Sequence, residues 1–360
     1  RWRREPEQGF WYRLSHGVMR RPVVVVVVTT AVLVIAGLPA LRLEFTGVDA
    51  SVLPDQSAAR QVDDALRTEF PPSPIAPVTA TIDAPRSERA DVERYAAWLA
   101  ERRAVAEVLP PEPVGGAWVV SAVPRGGELD DASLDLVRDA RAGPAPGPVA
   151  VSGRSAEFVD QQESLAARLP VGLAILAVTT FTILFLLTGS VILPIKSLLM
   201  NLLSLSAAFG LLVLIFQDGR FESLLAYDSQ GALEATQPVL LFAVAFALST
   251  DYGVFLLSRI KEAHDSGLSN DEAVAVGLQR TGRIVTAAAL LLSVALAAFA
   301  TSEIIFIKQV GLGTVFAVLI DATIIRALLV PSLMKLLGEW NWWAPKPLRR
   351  LHARLALSHG

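Results

Sequence analysis

Residues 238–260 form the stretch PVLLFAVAFALSTDYGVFLLSRI, an apolar run interrupted by an aspartate. A helix rises about 1.5 Å per residue, so roughly 20 apolar residues are needed to cross the hydrocarbon core of a bilayer. Asp251 precedes Ser258 by seven residues, so we expect its carboxylate to lie roughly 10 Å from the nearer membrane boundary. An ionisable residue at that depth is costly and is by default a candidate functional residue.

Five further apolar runs of similar length occur in the chain, which has 360 residues, 52% of them hydrophobic and 19% charged. This composition, with its apolar residues concentrated in runs, predicts a polytopic α-helical membrane protein. The first run is rich in β-branched residues, but a backbone in lipid must hydrogen-bond to itself, which favours helix. The six predicted spans are residues 22–41, about 170–188, about 192–216, 237–258, 283–301 and 308–331.

Lysine and arginine are distributed so that both termini are predicted to be cytoplasmic. Six arginines precede the first span, and basic residues also follow the fourth and sixth spans. The loop 217–236 carries four acidic residues and one arginine, which places it on the outer side. The chain starts with arginine and its first run lacks the usual cleavage site, so we interpret it as a retained transmembrane helix in a chain cut from a longer one.

Residues 42–169, between the first two spans, are soluble in composition and are predicted to form one extracytoplasmic domain. Strand-like and helix-like stretches alternate there in the order βαββαβ, an α+β arrangement of the ferredoxin-like type. Ser87 is the expected N-cap of the first helix, and residues 155–170 are expected to be helical and continuous with the second span. The predicted strands are 78–84, 104–110, 117–123 and 147–153, and the predicted helices are 87–103 and 128–142.

Several classes of function are disfavoured by composition. There is no cysteine, which excludes disulfides, zinc–thiolate sites and a cysteine nucleophile. The four histidines (16, 264, 352 and 359) share no ligand spacing and lie outside the spans, so we expect no metal and no other cofactor. The net charge of −3 gives no reason to expect a nucleic-acid partner. Without a nucleophile–base set or a nucleotide-binding loop, the chain is not expected to be an enzyme.

Several strings in the chain resemble the MMPL family of the RND superfamily of transporters, and together they cover essentially the whole chain. The arrangement of one soluble module after the first of six spans resembles half of such a transporter. The chain is most similar to the second, C-terminal half of a mycobacterial or actinobacterial lipid exporter. The strings are GVDASVLPDQSAARQVDDALRTEFPP (47–72), PIKSLLMNLLSLSAAFGLLVLIFQDG (194–219), LSTDYGVFLLSRIKEA (248–263), SNDEAVAVGLQRTGRIVTAAA (269–289), DATIIRALLVPSLMKLLG (321–338) and WNWWAP (340–345).

The resemblance implies half of an exporter of lipids or other hydrophobic molecules, driven by the proton-motive force, in the bacterial cytoplasmic (inner) membrane. In that family an Asp-Tyr pair lies in the fourth span of each half, and each Asp contacts the Tyr of the other half. Asp251 and Tyr252 are then half of a proton relay. The implied partners are protons, membrane lipids, a lipid or hydrophobic substrate, and a first six-helix half in the same longer chain or in a second subunit.

The predicted domains are a cytoplasmic N-terminal segment (1–21), the first transmembrane helix (22–41), a porter-like extracytoplasmic domain (42–169), a five-helix transmembrane bundle (170–338) and a cytoplasmic interfacial tail (339–360). Tryptophans and basic residues in the tail are typical of a membrane-surface anchor that faces anionic headgroups.

The residues around Asp251 support a functional role independently. Ala243 and Ala247 lie on the same side of the predicted helix, and small residues allow another helix to approach closely. We therefore expect Asp251 to point into a helix bundle rather than at lipid, where it can exchange protons near neutral pH. Tyr252 can donate a hydrogen bond to a carboxylate and help to relay a proton. An aspartate held only for packing is the structural alternative.

Asp321 and Arg326 are a possible second intramembrane ionisable site. On an α-helix a residue five positions along is rotated by about 140°, so the two side chains are not expected to be neighbours, and Arg326 is expected to extend to the inner surface. Asp321 is either a proton carrier or a structural hydrogen-bonding residue. Lys196, at the start of the third span, is also expected to extend to the surface, and Asn201 is expected only to pack.

Two other functions remain open at this point. A SecD- or SecF-like subunit for protein translocation has six spans and one outer module, although the strings quoted above argue against it. A non-transporting membrane scaffold or lipid-binding half would tolerate the loss of Asp251, whereas a transporter would not.

Overall fold

A computed structural model describes residues 9–48, 50–69 and 77–355 of the chain. The first eight residues, with three of the N-terminal arginines, and His359 lie outside the described residues. The chain divides into two compact units, Arg1–Phe45 with Leu173–Gly360, and Thr46–Gly172. We call these the helical unit and the α+β unit.

Six helices are long and apolar enough to cross a membrane, which confirms the predicted number of spans. They are Pro22–Arg42, Arg154–Thr188, Ile192–Gln217, Gln237–Asp265, Asn270–Thr301 and Ile305–Trp342, called spans one to six below. Span two is continuous with the preceding polar helix, as expected from the sequence. Short helices Phe10–Met19, Glu222–Leu225 and Lys346–Leu355 flank or connect the spans.

Several spans are longer than their apolar runs because polar residues cap or extend them. Span five begins after Ser269, whose side chain accepts a hydrogen bond from the backbone N–H of Glu272. This Ser-x-x-Glu spacing is a capping box, which satisfies amides that the first helical turn leaves free. The helix therefore starts well before the apolar stretch from which the span was predicted.

Spans three and six lie at the centre of the helical unit. Of their most apolar windows, 56% and 61% of residues are buried, against at most 28% in the other four spans. Spans one and three cross closely at Gly210, where an added Cβ would lie 1.9 Å from the carbonyl oxygen of Ala36. Small residues allow such close approach between membrane helices.

Span six changes its helical winding in the middle of the membrane segment. An α-helix from Ile305 to Ile320 passes into a π-helix over Asp321–Leu329 and returns to an α-helix over Val330–Leu337. A π-helix forms i→i+5 hydrogen bonds, and such segments are frequent at functional sites. The change alters which side chains share a face.

The α+β unit is built on an antiparallel sheet. Its strands lie in the spatial order Val105–Val108, Ala117–Pro124, Val78–Ile82, Val149–Ser152, and the short strand Glu112–Val114 pairs with Ala117–Pro124. Helices Arg89–Ala100 and Asp131–Ala142 follow the first and fourth strands along the chain, and helix Ala58–Glu69 precedes the sheet. The strand Glu112–Val114 was not predicted from the sequence.

Tyr95 anchors one helix of the α+β unit to the other. Its side chain is fully buried, and its hydroxyl donates a hydrogen bond of 2.6 Å to the carbonyl oxygen of Ala140. Burial raises the pKa of Tyr95 to about 12. The prediction that Ser87 caps the first helix is wrong, because Ser87 lies inside a 3-10 turn and the helix starts at Arg89.

Candidate functional site

Asp251 lies on the outward face of span four. Its side chain is exposed, as are those of Ala243 and Ala247, which precede it at four-residue intervals on the same side of the helix. Among the residues that the structure describes, Asp251 makes no hydrogen bond and no ion pair. The expectation that Asp251 points into a bundle is therefore not met by the helices of this chain, whose packing places that face outside.

Tyr252 is turned further toward the interior than Asp251. It is half-buried, and the guanidinium carbon of Arg326 lies 5.5 Å from the centre of its ring. A cation at that distance from an aromatic ring is attracted by the ring's negative face. Tyr252 thus connects the exposed side of span four with a charged residue of span six.

Asp321 and Arg326 form a buried ion pair, contrary to the prediction that they are not neighbours. Their side chains are almost completely enclosed, and Arg326 Nε donates a hydrogen bond of 2.7 Å to Asp321 Oδ2. The rotation of about 140° applies to an α-helix, whereas i→i+5 winding brings residues five apart onto one face. Arg326 is therefore held inside the bundle and does not extend to the membrane surface.

Polar residues of spans three and four complete the network around this pair. Ser249 Oγ lies 2.7 Å from Asp321 Oδ1 and also 2.7 Å from Asn201 Oδ1. Arg326 Nη2 donates to the backbone carbonyl of Ser249, and Asn201 Nδ2 lies 3.3 Å from Thr250 Oγ1. Ser249 thus contacts the carboxylate of Asp321 directly, and Asn201 is connected to it through Ser249. The sequence had not predicted these contacts for Ser249 or Asn201.

The contacts of Ser249 restrict which way the side-chain amide of Asn201 can point. A hydroxyl has one proton to donate, yet Ser249 Oγ lies within hydrogen-bonding distance of two oxygen atoms. Both contacts are hydrogen bonds when the amide of Asn201 is turned so that its nitrogen faces Ser249 and the hydroxyl of Ser249 donates to Asp321.

A cavity of about 40 Å³ opens between spans two, three, four and six beside this network. Asp321, Arg326, Asn201 and Lys196 are among the residues that line it. Arg326 Nη1 is buried and has no hydrogen-bond partner in the described parts of the chain. A cavity of this size has room for at least one water molecule, which would satisfy that donor.

The prediction that Lys196 extends to the membrane surface is wrong, because its side chain is buried in the helical unit. Its ammonium nitrogen lies 3.4 Å from Oδ1 of Asn341, which follows span six and is itself fully buried. Asn341 Nδ2 donates to the carbonyl oxygens of Met334 and Gly338, at 2.8 and 2.7 Å. The string WNWWAP thus contains a residue that closes one end of the bundle.

No metal site is formed by the described residues 9–48, 50–69 and 77–355, where no group of three or more histidine, aspartate or glutamate side chains is placed to hold an ion. The buried carboxylate of Asp321 is instead neutralised by a cation of the same helix.

The comparisons with known proteins agree with the architecture. The MMPL family model matches residues 73–355. The membrane protein SCO6666 of Streptomyces coelicolor is 40% identical over 366 residues, which are 99% of this chain and 50% of that protein. The trehalose monomycolate exporter MmpL3 of Mycobacterium tuberculosis is 35% identical over 99% of this chain and 39% of its own length. The mycolic acid-containing lipids exporter MmpL11 of Mycolicibacterium smegmatis is 29% identical over 97% of this chain and 38% of its own length.

The chain spans half or less of the length of these relatives. The family model covers most of the chain, from the start of the α+β unit's sheet to the last described helix. The six apolar helices make it a multi-pass membrane protein. The chain belongs to the MMPL family.

Proposed function

We propose that this chain is one half of a transporter that uses the proton-motive force to export lipids or other hydrophobic molecules. Two of the relatives carry the names of lipid exporters and are more than twice as long as the matched segment. The α+β unit is the extracytoplasmic porter domain in this proposal, and both termini are cytoplasmic. The membrane is the bacterial inner membrane.

The outward face of span four is the surface at which a first six-helix half binds. Ala243, Ala247 and Asp251 are exposed there in a row, and the two alanines permit close helix packing. A carboxylate on a membrane helix is costly when it faces lipid. A partner helix that supplies a hydroxyl or a cation would remove that cost, so the missing contact of Asp251 is expected to come from the other half.

Asp251 and Tyr252 carry the proton relay in this proposal, with Asp321 and Arg326 behind them. The observation that carries it is the position of Tyr252, which directly follows the exposed Asp251 in span four and contacts Arg326 of the buried pair. A proton taken up at the interface changes the charge that faces Tyr252 and Arg326. Since Arg326 also binds the backbone of Ser249, a change in its pairing shifts span four relative to span six.

Substitution of Asp251 by Asn in the complete native gene tests the relay in cells that carry no other copy of that gene. Asn has nearly the same volume but cannot exchange a proton, so Asp251→Asn is expected to reach the membrane and lose export. Tyr252→Phe is expected to cause a similar loss because it removes only the hydroxyl. Export is measured as labelled membrane lipid that appears outside the cells, at equal protein level, with and without an uncoupler.

Asp265→Asn is the matched control, since Asp265 lies on the same helix, is exposed and pairs only with side chains near that helix end. It is expected to export normally. Uncoupler-sensitive export by Asp251→Asn at the level of this control would exclude Asp251 from the mechanism. Normal growth without any export by the native protein would instead favour a scaffold.

A further inference from the structure

Lys196 is a buried cation without a counter-charge. Its side chain is 7% exposed, and across the described residues its polar contact is the 3.4 Å hydrogen bond to Asn341 Oδ1. No carboxylate in the described parts of the chain lies within ion-pairing distance of its nitrogen. An unpaired ammonium in a low-dielectric interior is strongly unfavourable, and such a group commonly becomes neutral instead.

The charges around the cavity do not balance when every group is ionised. Asp321 contributes one negative charge, whereas Arg326 and Lys196 contribute two positive charges to the lining of the same cavity of about 40 Å³. Arginine does not lose its proton in proteins, and Asp321 is already paired with it. Of the three groups, Lys196 is therefore the one that can restore neutrality by releasing a proton.

Other charged groups on the neighbouring elements do not supply the missing negative charge. Asp251 of span four lies on the outward face. Glu339, next to the segment that holds Asn341, has a side chain that is 77% exposed and faces His264 at 3.8 Å. Lys308 of span six donates to the backbone carbonyls of Leu225 and Ala226. Span two lines the cavity with Thr180 and Leu184, and its segment Leu173–Thr188 contains no titratable side chain. Pro22–Gly37 of span one contains none either.

The partner of Lys196 suits a group that changes its charge. The amide nitrogen of Asn341 is held by the carbonyls of Met334 and Gly338, so its oxygen is turned toward Lys196. Ser190 Oγ also donates to the backbone carbonyl of Asn341 at 2.6 Å. A neutral oxygen accepts an N–H from either an ammonium or an amine, whereas a carboxylate would favour the charged form.

We propose that Lys196, which lines this cavity and contacts Asn341, is a further proton-exchanging residue of this transporter. The ammonium gives one N–H proton to water in the cavity and becomes a neutral amine; the hydronium that forms passes the proton on to further water, and the amine later takes a proton back from hydronium on its nitrogen lone pair. Asn201, which contacts the network around Asp321 through Ser249, lies five residues further along span three, about 7.5 Å along the helix axis. Asn341 is the positioning residue. The inference rests on the proposed function, because it extends the same proton path.

Proton flux through the native gene product in proteoliposomes tests this inference without a substrate. A pH gradient is imposed, and a trapped pH-sensitive dye reports proton entry. Lys196→Arg keeps the charge but cannot release the proton, and Lys196→Met removes both. Each is expected to slow the flux roughly 100-fold, as the loss of a general acid–base group does. Asn341→Ala is expected to shift the pH at which the flux is half-maximal, which loss of packing alone would not do.

Wild-type flux in Lys196→Arg would overturn the proposal, because it would show that a fixed positive charge is sufficient. Wild-type flux in Lys196→Met would overturn it too, since a packing role would then suffice. If the Met variant does not insert, the Arg variant decides alone. Asp251→Asn is measured in parallel: loss of flux there with normal flux in the Lys196 variants would refute only this inference, whereas normal flux in Asp251→Asn would refute the relay itself.

Discussion

Asp251 and Asp321, which both interrupt apolar runs, are expected to differ sharply in what they contribute to the stability of the helical unit. Asp321 is 3% exposed and binds both Arg326 and Ser249, each at 2.7 Å. Asp321→Ala removes both hydrogen bonds and leaves a buried guanidinium without a counter-charge. Asp251 has no such partner among the described residues, so Asp251→Ala removes no contact within the chain.

The expected magnitudes follow from these contacts. Breaking a buried ion pair by removing one partner costs about 3–5 kcal/mol, mainly because the other charge stays buried and unpaired. The double variant Asp321→Ala/Arg326→Met removes that lone charge and is expected to be more stable than Asp321→Ala alone. Asp251→Ala should not lower the free energy of unfolding, because it removes no contact within the chain and takes away a carboxylate that is costly where it faces a micelle.

The free energy of unfolding can be measured on the purified chain in mixed micelles by titration with sodium dodecyl sulfate, with helix content followed by circular dichroism. Asp251→Ala is the matched control, because it also removes a carboxylate from a membrane span. Equal losses for the two single variants would refute the argument from burial. A double variant less stable than Asp321→Ala would show that the unpaired guanidinium is not the source of the cost.

Two further outcomes can be checked on the same chain. Gly210→Val is expected to destabilise the helical unit by about 1–3 kcal/mol through overpacking, because its Cβ would meet the carbonyl oxygen of Ala36. Gly172→Ala is the control, since nothing lies within 4 Å of its added Cβ, and thermal unfolding should show no loss. Tyr95→Phe should cost about 1 kcal/mol at neutral pH by removing one hydrogen bond. Burial raises the pKa of Tyr95 from 10.0 to about 12. The buried hydroxyl therefore stabilises the α+β unit fully below pH 10, and this stabilisation is lost as the pH rises toward 12. Over that pH range the unfolding midpoint of Tyr95→Phe should fall less than that of the native chain.

The number of spans and the alternation of elements in the α+β unit could be predicted from the sequence because both depend on local patterns. A run of about 20 apolar residues must form a helix in lipid, whatever it packs against. Strand and helix periods are likewise properties of short stretches. The extra strand Glu112–Val114 escaped prediction because it is short, exposed and contains a proline, which weakens the usual strand signals.

The candidate residues could also be found from the sequence, since Asp251, Asp321 and Arg326 are charged residues inside apolar runs. The contacts that surround these residues could not be predicted from the sequence. The pairing of Asp321 with Arg326 depends on a π-helix that no local pattern announced, and the roles of Ser249 and Asn201 depend on spans that are distant in sequence and adjacent in space.

The sequence by itself determined that the chain spans a membrane six times and that a carboxylate followed by a tyrosine interrupts the fourth span. Only the tertiary structure decided whether each charged side chain within the apolar runs is enclosed. Asp321, Arg326 and Lys196 are buried, whereas Asp251 is exposed. The physical reason is that a side chain's direction is set by the winding of its own helix, whereas its burial is set by which helices pack against that side. The first property is nearly local, and the second depends on the whole bundle.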